Sequence, residues 1–216
     1  MGNFSRVRGW AFALVSLVSL TITLNARAQK VGNATQGALV GYTCLGCHGI
    51  PNYKNAYPNY KVPKLYGQHA EYIVSALQSY RSGERSHGTM NANASVLTDQ
   101  DMADVAAWLS GPPKAAVSPM LVALPKPPIS AQVCVSCHGT NGVGITPQYP
   151  SLAGQYEDYL VRSLTDYKKG GRKNAIMAGF VAQLSEKDIL ELAAYYKAQR
   201  SVLGTIPKRN SILSAR

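Results

Sequence analysis

A five-residue run, Cys-x-x-Cys-His, occurs twice in this chain, as Cys44-Leu-Gly-Cys47-His48 and Cys134-Val-Ser-Cys137-His138. Together the two runs use all four cysteines of the 216 residues. Each run is little more than one helical turn long, so two thiols and an imidazole serve one small region. This is the attachment signal for c-type haem: the thiols add to two vinyl groups and the next residue offers imidazole to the iron. Three other chemistries share parts of the pattern. A thioredoxin-like dithiol expects a β-α-β setting that neither half shows. A zinc site pooling both motifs leaves the wider repeat described below unexplained, and two disulfides would each close an unusually small loop. Two covalently bound c-type haems are therefore the expected cofactors, held by Cys44, Cys47, Cys134 and Cys137.

The motifs sit inside a longer repeat. The segment Leu65 to Tyr80 matches Leu152 to Tyr167 at a constant offset of 87, which also carries Gly83 onto Gly170, Arg85 onto Arg172 and Met90 onto Met177. Near the cysteines the offset is 90, so the first copy has a slightly longer loop after its histidine, containing Tyr53, Tyr57 and Tyr60. Both copies read as helical. Tyr72, Ile73, Ala76, Leu77 and Tyr80 fall at the spacing of a buried helix face, as do Tyr159, Leu160, Ser163, Leu164 and Tyr167. A later helix in each copy opens on a hydroxyl with an acid three places on, Thr98 with Asp101 and Ser185 with Asp188. Shorter helices are expected over 32–47 and 130–137, carrying the cysteines. Between the copies, residues 111–128 hold six of the twelve prolines and form a semi-rigid connector. The expected domains are 29–111 and 130–216, joined by a linker over 112–129.

The repeat also selects the second axial ligand. Once His48 and His138 are assigned, only His69 and His87 remain, and their repeat partners are Tyr156 and Asn174. A duplicated bis-histidine site is thus impossible. Met90 and Met177 are the only methionines paired by the repeat, 42 and 39 residues after their histidines. A thioether is a soft neutral donor suited to haem iron, so the expected metal ligands are His48 with Met90 and His138 with Met177. His87, three residues before Met90, is the one rival for the first iron. Met102 reads as core, and Met120 has no partner in the repeat.

The N-terminus reads as a leader over 1–28: Arg6 and Arg8, an apolar run from Trp10 to Leu24, then Ala26-Arg27-Ala28 in small-x-small form. No second stretch is apolar enough to span a bilayer, so a soluble exported protein is expected. Charge then bears on partners. The formal net charge is +11, and the excess is uneven: 29–115 hold 7 Lys/Arg against 5 Asp/Glu, 116–216 hold 12 against 6. A basic second half favours an acidic docking surface, with Lys168-Lys169-Gly-Gly-Arg172-Lys173 as its densest stretch. Nucleic acid would explain basicity alone, but not a leader followed by two haem motifs.

These features together resemble cytochrome c4, a dihaem family of class I cytochrome c domains. The resemblance runs from about Gly37 to Gln199 and rests on both Cys-x-x-Cys-His-Gly runs, on Leu65-Tyr-Gly-Gln and Leu152-Ala-Gly-Gln, and on Met90 and Met177 ahead of each final helix. It implies an all-α fold, a tandem duplication of a class I domain packed about a pseudo-two-fold axis, with haem edges meeting at the interface. It also implies that Pro63 and Pro150 offer their carbonyls to the ring N–H of the axial histidines. The implied function is electron transfer in the periplasm without catalysis, from a quinol-oxidising complex or small periplasmic carrier toward a terminal oxidase. Peripheral association with membrane complexes and a homodimer are further expected arrangements. The alternative is a dihaem electron-accepting subunit of a periplasmic dehydrogenase, such as a sulfur-oxidising flavocytochrome. A haem peroxidase is disfavoured, because two symmetric methionine ligands leave no open iron.

Overall fold

The computed structural model describes residues 30–111 and 125–207. The expected leader, most of the proline connector with Met120, and the basic tail from Lys208 lie outside these residues. Two helical domains follow one another, each with a short cysteine-bearing helix followed by three further helices. In the first, α1 (Ala34–Val40) leads through a 3-10 turn (Gly41–Cys44) into the short α2 (Leu45–His48). Then come α3 (Ala70–Ser82), α4 (Gly88–Ser95) and α5 (Asp99–Ser110). The second has a 3-10 turn (Ile129–Ala131), α6 (Val135–His138), α7 (Glu157–Lys169), α8 (Ala175–Val181) and α9 (Glu186–Ala198). No helix among the described residues is long and apolar enough to cross a membrane.

Both expected capping boxes form. The Thr98 side chain accepts from the Asp101 N–H while the Asp101 carboxylate accepts from the Thr98 N–H, and Ser185 with Asp188 repeats the pattern. These hydrogen bonds favour the charged carboxylate and hold both aspartates below the usual carboxylate range. The stabilisation is present above that range and is lost as pH falls through the lowered values. Equilibrium unfolding of Asp101→Asn/Asp188→Asn should therefore show a flatter pH profile below about pH 4 than the unmutated protein. Thr98→Ala should cost about 1 kcal/mol.

The two domains are unequal at their openings. In the first, α1 crosses α5 so closely that a Cβ on Gly37 would lie 1.9 Å from the Asp104 carbonyl oxygen. Asp104, buried, accepts from the Asn33 N–H at 2.7 Å, and Asn33 in turn caps α1. Among the described residues the second domain opens with the short turn before α6. The first core gathers Ile73, Leu77, Met102, Val105, Trp108 and Leu109, and the second Leu160, Leu192, Tyr195 and Tyr196. Met102 is fully buried, as its core reading requires.

Ile206 belongs to the first core despite its place near the end of the second copy. The chain leaves α9, returns across the interface and pairs with Tyr66: Tyr66 N–H donates to the Gly204 carbonyl at 3.0 Å, and Gly204 N–H to the Tyr66 carbonyl at 2.8 Å. Two residues on, the Ile206 N–H donates to the His48 carbonyl at 3.0 Å.

Candidate cofactor site

The 3-10 turn and α2 place Cys44, Cys47 and His48 on one curl of backbone, so that all three line a single cavity. Met90, on the short α4, lines the same cavity from another element. Four residues separated by 46 positions of sequence thus converge. All four thiols of the protein are free. Among the described residues no group of three or more His, Cys, Asp or Glu is placed to hold a metal.

The histidine geometry is specific. His48 Nδ1 lies 2.8 Å from the Pro63 carbonyl and His138 Nδ1 lies 2.8 Å from the Pro150 carbonyl. A carbonyl only accepts, so Nδ1 carries the proton in both rings and Nε2 keeps its lone pair. Burial lowers the affinity of each ring for a second proton, bringing His48 to about 4, against a smaller opposing effect of the Pro63 hydrogen bond. His138 is lowered for the same reason. Each ring is thus a neutral donor at neutral pH, the form a metal binds.

Two buried arginines complete the setting. Arg85 lines the first cavity, and Arg85 and Arg172 are 8% and 5% exposed. Their guanidinium groups donate to the hydroxyls of Tyr72 and Tyr159, each at 3.2 Å, and lie over those rings at 5.3 and 5.4 Å. Among the described residues Arg172 has one ion pair, to Asp166 at 4.0 Å, and none is found for Arg85. Buried cations without full carboxylate compensation are costly alone; acidic groups such as haem propionates would supply the missing charge. The donor set, free thiols, neutral imidazoles and incompletely compensated guanidinium groups fit a c-type haem.

Comparison with known proteins agrees with this fit. The family described as "Cytochrome c" matches twice, over residues 34–111 and 129–199. Cytochrome c4 of Azotobacter vinelandii is 39% identical over 206 residues, covering 85% of this chain and 96% of that protein. The crystal structure of reduced recombinant cytochrome c4 from Pseudomonas stutzeri superposes with a TM-score of 0.62 at 30% identity, covering 79% of this chain and 100% of that one. The chain belongs to the cytochrome c4 family. It is a dihaem c-type cytochrome, an electron carrier and not an enzyme. A further relative, a thiosulfate dehydrogenase electron acceptor from Stutzerimonas stutzeri, is 29% identical over 85% of this chain and 92% of its own length.

Cytochrome c4 membership explains the pairing of the two halves, which meet along symmetric contacts. Arg85 and Arg172, equivalent in the repeat, pair with each other in a short antiparallel bridge, flanked by Ser86 N–H to the Gly171 carbonyl at 3.0 Å and Lys173 N–H to the Glu84 carbonyl at 2.7 Å. The pseudo-two-fold axis passes through this bridge. The longer loop after His48 also belongs to the interface: Asn52 N–H donates to the Tyr156 hydroxyl, Lys61 N–H to Asp158, and Tyr60 packs on Tyr159 with centroids 6.1 Å apart.

Three features of this cytochrome c4 relative were not assigned from sequence. His87 caps α4: its Nδ1 accepts from the Met90 N–H at 3.3 Å, as the Asn174 side chain accepts from the Met177 N–H at 2.9 Å. The repeat pairing of His87 with Asn174 was the available signal, since both can accept. The short helices α4 and α8 themselves have too little apolar periodicity to be read. The roles of Arg85 and Arg172 were signalled only by their matched positions after Gly83 and Gly170, which take left-handed conformations at the ends of α3 and α7.

Proposed function

We propose that this cytochrome carries one haem on Cys44 and Cys47, ligated by His48 and Met90, and a second on Cys134 and Cys137, ligated by His138 and Met177. The observation that carries this reading is the convergence of Cys44, Cys47, His48 and Met90 on one cavity. When bound, each haem supplies a one-electron couple, and Met/His ligation raises its potential. The residues supply the rest. Pro63 and Pro150 fix ring orientation and strengthen each histidine as a donor, while His87 and Asn174 fix the start of each methionine helix.

Electrons pass between a quinol-oxidising complex or small periplasmic donor and a terminal oxidase, with the leader over 1–28 directing export. The exposed Lys168, Lys169 and Lys173 beside the second site provide an acidic partner with a docking edge. A second reading, permanent electron acceptor of a periplasmic dehydrogenase, is favoured by the Stutzerimonas stutzeri relative; copurification with a dehydrogenase subunit distinguishes it.

Substituting the methionines one at a time tests the ligand set. Met90→Ala and Met177→Ala are each expected to remove about half of the far-red Met-to-iron absorption, since one of two equivalent ligands is lost. Survival of the full absorption in both variants refutes it.

A further inference from the structure

Each domain holds the peptide that supports the other domain's axial histidine. The Gln155 side chain, from the second domain, accepts from the Lys64 N–H and donates to the Lys64 carbonyl, both at 3.0 Å. Lys64 directly follows Pro63, whose carbonyl holds His48 Nδ1 at 2.8 Å. The mirror arrangement runs the other way. Gln68, from the first domain, accepts from the Ser151 N–H at 2.9 Å and donates to the Ser151 carbonyl at 3.0 Å. Ser151 directly follows Pro150, which holds His138.

Gln68 and Gln155 are 5% and 4% exposed, so water does not readily take over these bonds. The residue before each takes a left-handed turn, Gly67 at φ 87° and Gly154 at φ 69°. Such turns are open to glycine without strain. This explains a Gly-Gln pair at the same place in both copies.

We propose that Gln155 and Gln68 are positioning residues for His48 and His138 respectively, acting across the domain interface through the peptide after Pro63 or Pro150. A two-point amide clasp fixes both position and tilt of the backbone segment whose carbonyl meets the imidazole. Removing it leaves a buried N–H and a buried C=O unpaired and loosens the Nδ1–H bond. A less firmly held ring is a weaker donor, which stabilises ferric iron less and raises the potential. The proposal rests on the axial ligand reading above.

The experiment uses the full-length holoprotein. The exchange rate of each histidine ring Nδ1–H is followed by NMR in the reduced state, and both midpoint potentials are followed by spectroelectrochemistry. Gln155→Ala is expected to speed exchange at His48 on the order of tenfold, the effect of losing about one net hydrogen bond's worth of restraint, and to raise the N-terminal haem's potential. His138 and the C-terminal haem stay unchanged. Gln68→Ala is expected to give the converse.

Both glutamines also accept from the next N–H in their own chain, of His69 and of Tyr156. A local helix-start role would therefore disturb each variant's own domain. An effect confined to that own domain, an equal effect on both haems, or no effect overturns the proposal. Gln155→Glu keeps side-chain length and the acceptor for Lys64 N–H but loses the donor. It should move His48 in the same direction by less, and it carries the test if Gln155→Ala does not fold; no change at His48 in a folded Gln155→Glu then overturns the proposal.

The oxidised unmutated protein separates the two readings. Hyperfine-shifted ring resonances from both histidines, with no response to the glutamine variants, remove the clasp proposal alone. Absence of such resonances for His48 removes the ligand reading and the clasp proposal together.

Discussion

Replacing Ile206 by alanine is expected to destabilise the N-terminal domain by about 2–5 kcal/mol, the usual range for cutting a buried isoleucine back to Cβ. The side chain is 1% exposed and packs with Ile73, Leu77, Val105 and Leu109 of the first core. The C-terminal domain, which contains Ile206 in sequence order, makes no comparable use of it. Thermal unfolding followed at two haem-specific signals should therefore show the N-terminal domain melting first in Ile206→Ala. Coincident melting of both domains, displaced together, would mean instead that the interface and not the first core depends on this residue. The effect is large because the removed methylenes leave a void among side chains fixed by α3 and α5, which cannot close around it.

The second large effect belongs to the buried guanidinium groups. Arg85→Met should lower the reduction potential of the N-terminal haem, because a nearby positive charge favours the reduced state, which carries one electron more. A unit charge within about 10 Å at an effective dielectric near 20 contributes roughly 2 kcal/mol, or about 80 mV for a one-electron couple. Arg172→Met should lower the C-terminal potential by less, since Asp166 lies 4.0 Å from Arg172 and already offsets part of its field. At the repeat position of Asp166 the first domain has Ser79, which carries no charge. Equal shifts in the two variants, measured by spectroelectrochemistry, would exclude this asymmetry. Arg85→Lys retains the charge but loses the planar fork that reaches the Tyr72 hydroxyl, so its shift should be smaller than that of Arg85→Met.

Much of the fold was legible because its signals are local. Thr98 with Asp101 and Ser185 with Asp188 announce helix starts within four residues, and Cys44 to His48 carries its geometry in one turn. The repeat extended local signals to long range, pairing Met90 with Met177 and arguing against a duplicated bis-histidine site. Contacts between different segments had no such mark. Nothing near Ile206 in sequence indicates a seat in the first core, and nothing around Gln155 points to Lys64, because neither pairing has a fixed spacing or a periodic pattern. The stretch expected as one helix over 32–47 is instead broken into α1, a 3-10 turn and α2. The Gly41 backbone accounts for part of this: it lies against the Trp108 ring, where a Cβ would come within 2.7 Å of an aromatic carbon.

The seat of Ile206 also sets an order of completion. A chain made from its N-terminus presents Cys44 to His48 long before residue 206 emerges, so the first attachment motif appears on a domain still missing part of its interior and the hydrogen bond to the His48 carbonyl. The second domain needs nothing from so far downstream among the described contacts. Among the described residues, closure of the half that begins first waits on a segment beyond the last helix of the other.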